Sequence, residues 1–79
     1  MKLILRRSRQ SVHNVRSKMY DFYTYSGFVT ETGEVVDFVV MKGGREIMEG
    51  PHNRLLFERF RKDLCWLAKD EFEAIPPKR

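Results

Sequence analysis

The chain has 79 residues, 15 Lys+Arg against 11 Asp+Glu and a formal charge of +4, which allows one domain near the lower size limit of a self-sufficient core. A single cysteine excludes an internal disulfide and a thiolate-rich zinc site, so stability must come from tight packing, a partner subunit, or both. With 42% hydrophobic and 13% aromatic residues, the chain is too apolar to stay disordered.

Residues 2–6 are expected to form a short strand, with Leu3 and Leu5 on one face and Ile4 on the other. Arg6-Arg7 interrupts this apolar start well before the roughly seven to fifteen residues of an export signal. Residues 8–14 are polar and mixed, and read as a loop or turn. From residue 15 to residue 29, aromatic and β-branched side chains accumulate (Tyr20, Phe22, Tyr23, Tyr25, Phe28, Val29), which suits a half-buried pleated surface. Glu31-Thr32-Gly33-Glu34 separates this run from a second, residues 35–41. Two such runs joined by a short Gly-containing turn predict a β-hairpin. Two registers fit. A two-residue Thr32-Gly33 turn sets Val29 against Val36 and Tyr25 against Val40; a three-residue loop with left-handed Gly33 sets Phe28 against Val36 and Thr24 against Val40. In either register both hairpin faces carry large apolar groups, so a helix can cover one while the other needs a partner, another strand or a function.

Gly43-Gly44 ends the second run, and residues 45–49 can add a further short strand. Gly50-Pro51 is predicted to open a long helix, with Pro51 in its first turn. Leu56, Phe57, Phe60, Leu64, Leu67, Ala68 and Phe72 recur at three- and four-residue spacing, an apolar stripe that should pack on the hairpin. Glu58/Lys62, Arg59/Asp63 and Lys69/Glu73 stand at i,i+4, where ion pairs are expected. Ile75-Pro76-Pro77 stops the helix. The reading is therefore a single α+β domain over 1–75, with an N-terminal strand and a long β-hairpin in a small antiparallel sheet packed by one C-terminal helix, followed by a short basic tail, 76–79. The apolar runs at 38–41 and 64–68 fall far short of the ~20 residues that span a bilayer, and the lone Cys65 suits a reducing compartment. A cytoplasmic protein with no membrane association is expected.

The charge is unevenly spread. Residues 1–20 hold six basic residues and no acid, residues 21–51 six acids against two basic residues, and residues 52–79 seven basic against five acidic. This polarity points to a polyanionic partner more than the small net value does. Arg6, Arg7, Arg9, Arg16 and Lys18 are the candidate phosphate contacts, in a segment whose Ser, Asn and Gln side chains can also bond phosphates or base edges. Tyr23 and Tyr25 are the candidate stacking or wedging rings. The competing reading makes the cations a solvated loop and the aromatics a core face. On the helix, Trp66 falls off the main stripe among Arg59, Lys62 and Lys69, so a partner contact and a capped core edge both fit.

Catalysis finds little support. His13 and His52 are isolated, Cys65 has no histidine at close helical spacing, and Gly43-Gly44 lacks the downstream residues of a phosphate loop. No metal, cofactor or enzymatic activity is expected. The function read from the sequence is binding of nucleic acid, DNA or RNA, through the basic N-terminal segment. The alternative is a protein-interaction module, adaptor or inhibitor, that docks on an acidic protein surface through Arg59, Lys62 and Trp66 or through the open hairpin face. The uncovered sheet face also favours a homodimer.

Overall fold

The computed structural model describes residues 2–73. Four strands, β1 (Leu3–Asn14), β2 (Met19–Thr30), β3 (Val35–Lys42) and β4 (Arg45–Ile47), precede one helix, α1 (Arg54–Glu73). The strands form an antiparallel meander in the order β1-β2-β3-β4, which leaves β1 and β4 as edges. The expected α+β architecture, one helix on a small antiparallel sheet, is what the chain adopts. No helix among the described residues is long and apolar enough to cross a membrane.

β1 is far longer than its apolar start suggests. The segment read as a loop, residues 8–14, continues the strand and pairs residue by residue with β2, from Leu3↔Thr30 to Asn14↔Met19. Ser8, Gln10 and Ser11 have little β preference of their own, but Tyr25, Tyr23 and Phe22 stand opposite them, and cross-strand pairs of this kind decide sheet formation over propensity. The chain reverses instead at residues 15–18. Asn14 holds that turn, its carbonyl accepting from Lys18 N–H at 2.7 Å and its Oδ1 from the N–H groups of Arg16 and Ser17.

The β2–β3 hairpin uses both candidate registers. Near the turn, Val29 pairs with Val35 and Phe28 with Val36, the register of a three-residue loop with Gly33 at φ 89°. Farther along, Tyr25 pairs with Val40 and Ser26 with Val39, the register of a two-residue turn. The extra residue is taken up by a bulge at Asp37, which has φ 55°. β3 turns into β4 through Gly43 and Gly44, both at positive φ (59° and 83°), the geometry of a two-residue hairpin turn.

Pro51 lies in a turn before the helix, not in its first turn. Asn53 is the residue at the boundary: its carbonyl accepts the first helical bond, from Phe57 N–H at 3.0 Å, while its side chain accepts from Gly50 N–H and donates to Met48 O. The helix buries Phe57, Phe60, Leu64 and Ala68 against Ile4, Tyr23, Tyr25, Val29 and Val40; Leu67, counted in the predicted stripe, remains exposed. Among the described residues, neither Glu58–Lys62 nor Arg59–Asp63 forms an ion pair. Charged helix residues reach other elements instead, Arg61 to Glu49 and Glu71 to Arg6. The Lys69/Glu73 pair lies outside the described side chains, as the Ile75-Pro76-Pro77 stop and the 76–79 tail lie outside the described residues.

Gly27 is buried opposite Arg6 and beside the bulge, where an added Cβ would press into Val35 Cγ1. Gly27→Ala is expected to lower unfolding free energy by about 1–3 kcal/mol through overcrowding. Ser26→Ala, one residue away on the other face, should stay within about 0.5 kcal/mol. Urea midpoints at unchanged slope measure both, and equal midpoints for the two variants would refute the account of Gly27.

Candidate functional site

Strand alternation divides the basic N-terminal segment between two surfaces. Ile4 and Val29 are buried beneath the helix and pair with each other. That assignment turns Arg6, Ser8, Gln10 and Val12 of β1 toward the helix side, together with Tyr23 and Tyr25 of β2. The opposite, open face carries Leu3, Leu5, Arg7, Arg9, Ser11 and His13 of β1. Across from them lie Phe28, Ser26, Thr24, Phe22 and Tyr20 of β2.

Three of the residues expected to touch nucleic acid therefore serve the core or its edge. Arg6 donates to the Leu5 and Leu67 carbonyls and pairs with Glu71, fastening the C-terminal half of α1 to β1. Tyr23 and Tyr25 are 7% and 2% exposed. Tyr25 stacks on Phe60 with centroids 4.2 Å apart and 10° between planes, and Tyr23 tilts against the same ring at 5.4 Å. Neither face is open to a base. The Tyr25 hydroxyl donates to Asp63 Oδ2 and accepts from Gln10 Nε2 at 2.9 Å, so the buried phenol is satisfied from both the helix and β1.

The remaining candidates are brought together. Arg7 and Arg9 are exposed at alternate positions of the open face, and Arg16 and Lys18 sit exposed in the turn at its far end. The β2–β3 ladder ends at Tyr23↔Lys42, and the last backbone bond to this side is Gly43 N–H to the Phe22 carbonyl at 3.1 Å, so residues 12–21 project as a two-stranded arm. On its open side are Phe22, 66% exposed, and Tyr20, 57% exposed. His13 meets the Tyr20 ring edge-on, centroids 5.2 Å apart. A cleft of about 490 Å³ is lined by Arg9, Ser11, Phe22 and Thr24, with Gln10 and Tyr23.

Acids are kept away from this surface. β1 contains none, and the one acid of β2, Asp21, faces the helix side, where it accepts from Asn14 Nδ2 and lies 3.7 Å from Lys42 Nζ. The cross-sheet row through Arg9 runs Thr24, Met41, Glu46, so a carboxylate arrives only at the far edge, three strand spacings or about 14 Å away. The open face is thus positive at β1 and negative at β4. Phe22 and Tyr20 belong to the aromatic run of the sequence but not to its candidate stacking pair, Tyr23 and Tyr25; the available signal is their parity, opposite to that of Val29 on the same strand.

The helix surface proposed as an alternative is also present. Trp66 is 68% exposed, with Lys69 Nζ 5.1 Å from its ring, and Arg59 and Lys62 are exposed on the same helix. Cys65 donates to the Gly33 carbonyl at 3.2 Å, and burial pushes its thiol above the ordinary 9.0, which keeps it protonated and poorly nucleophilic at neutral pH. Among the described residues, no group of three or more His, Cys, Asp and Glu side chains is arranged to hold a metal ion. Comparison with protein-family models, curated proteins and solved structures finds no match for the chain.

Burial, then the Asp63 carboxylate that accepts its proton, raises the Tyr25 hydroxyl above its ordinary 10.0. The folded state holds this proton more tightly than the unfolded chain, so its contribution is complete below about pH 10 and is lost as pH rises through the higher folded value. Tyr25→Phe is expected to cost about 0.5–1.5 kcal/mol at neutral pH. It should also flatten part of the stability loss that sets in above about pH 10. Denaturation midpoints across that range test the point; a wild-type curve that stays level there would contradict it.

Proposed function

We propose that the chain is a small non-enzymatic nucleic-acid-binding protein whose basic N-terminal ribbon contacts phosphates. The observation that carries the reading is the grouping of Arg7, Arg9, Arg16 and Lys18 along one open face and its projecting turn, with every acid of the two strands directed elsewhere. None of the four cations is ion-paired among the described residues, so a polyanion meets them without first displacing a protein carboxylate. Each phosphate neutralised releases condensed counterions, which makes such binding steeply salt-dependent. Arg6 is left out of the interface because its guanidinium already serves Glu71 and two carbonyls. The same reading sets the protein in the cytoplasm.

A salt-titrated gel shift tests the proposal. Arg7→Ala with Arg9→Ala should weaken binding uniformly across sequences and reduce the slope of log K against log salt by about 1 per lost phosphate contact. Arg6→Ala should leave that slope unchanged and loosen the helix end. Slopes that fall with Arg6→Ala and not with the Arg7/Arg9 pair would remove the assignment.

A second reading rests on the exposed Trp66. An indole on the helix surface between basic side chains suits an anchor for an acidic protein, since Trp and Arg dominate interface energetics. If the chain is an adaptor or inhibitor, Trp66→Ala should abolish retention of the protein partner in a pull-down and leave nucleic-acid retention intact. Full partner retention by Trp66→Ala would dispose of this reading.

A further inference from the structure

The aromatic side chains of the open face add a stacking surface to the cations. Phe22 and Tyr20 occupy alternate positions of β2, so their rings stand roughly 6.8 Å apart on one side of the sheet. Cross-strand from them are Ser11 and His13, and the His13 edge contact supports the Tyr20 ring. Arg9 follows in the next row and Arg7 in the one after, opposite Thr24 and Ser26. The cleft beside Phe22, about 490 Å³, lies within the roughly 300–1,000 Å³ of sites that take small ligands. Two open rings, a cleft and two flanking guanidiniums thus lie in one line along the ribbon.

This arrangement selects among polyanions. In a duplex, successive bases stack about 3.4 Å apart and cover one another's faces, so a ring on a sheet surface finds no base face to meet. In an unpaired strand the faces are free, and stacking on aromatic side chains is the general means by which proteins hold such strands without reading their sequence. On the strength of the nucleic-acid reading, we infer that the open face takes a single strand of nucleic acid, its unpaired bases stacking on Phe22 and Tyr20 while Arg7 and Arg9 hold its phosphates. Unpaired bases and phosphates are the chemistry recognised, and Ser11, Thr24 and Ser26 supply hydroxyls along the path.

Fluorescence anisotropy with labelled oligo-dT, oligo-U and a duplex of the same length, at low salt, tests the inference. Either single strand should bind at least about tenfold more tightly than the duplex, and the ratio between the two assigns the sugar. Phe22→Ala and Tyr20→Ala, both at exposed positions, should each weaken single-strand binding by about 5- to 100-fold. Phe22→Tyr should restore it, and helical circular dichroism should be unchanged in all three. Equal or tighter duplex binding, with Phe22→Ala silent, would overturn the single-strand inference while leaving the phosphate reading intact. Failure of the wild-type protein to retain any of the three at low salt would overturn that reading itself. A dimer in sedimentation that Phe22→Ala converts to monomer would assign the face to a second copy of the chain and overturn the inference equally.

Discussion

A helix of twenty residues rises about 30 Å, whereas the molecule it must stabilise is 54 Å long. One helix can therefore shield one face of the sheet, and only part of its length. Phe57, Phe60, Leu64 and Ala68 cover Tyr25, Tyr23, Val40, Val29 and Ile4. Beyond that footprint the β1–β2 ribbon continues, among the described residues, without a helix above it or a third strand beside it. Among the described residues nothing covers the other side of the sheet. The distribution of exposed Phe22, Tyr20, Leu3, Leu5 and Val36 follows from this shortage of covering material, and so does the surface on which the functional reading rests.

Within the ribbon, alternation assigns adjacent arginines to opposite tasks. Arg6 belongs to the helix side and joins Glu71 and the Leu67 carbonyl. Arg7 points to the open side and stays solvated. The same alternation separates Tyr25, whose hydroxyl is shared by Gln10 and Asp63, from Phe22, which makes no such connection. A buried polar network of this kind holds the helix at a fixed position on the sheet, because each member would lose its partner if the helix slid.

The helix stripe, the β2–β3 hairpin, the Gly43-Gly44 turn and the bias of charge toward the N-terminal third were legible from residue order. These features depend on local spacing or composition. The extent of β1 was not legible, because residues 8–14 carry a single apolar side chain, Val12, at the margin of the core; the polar side chains around it give no alternating apolar signal, and the aromatic strand opposite imposes the extended form. Which aromatic side chains lie open was not legible for a related reason. Aromatics at 20, 22, 23 and 25 occupy both parities, and only the burial of Val29 on the same strand decides which set faces inward. The hairpin register stayed open because two demands conflict, the loop chemistry of Gly33 and the core pairing of Tyr25 with Val40. The bulge at Asp37 satisfies both, a compromise with no sequence marker in an aspartate.

The position of β1 at the sheet edge has a bearing on self-association. About half of its residues turn their N–H and C=O groups outward, a template that invites another strand, and among the described residues no bulge, proline or overlying segment blunts it. Its guard is electrostatic. Arg7 and Arg9 lie near its middle, without an ion pair among the described residues and with no acid on the strand, so two copies approaching antiparallel would bring these charges together, and like charges in opposed strands destabilise pairing. The cations proposed to meet a polyanion thereby also discourage copies of the chain from adding edge to edge.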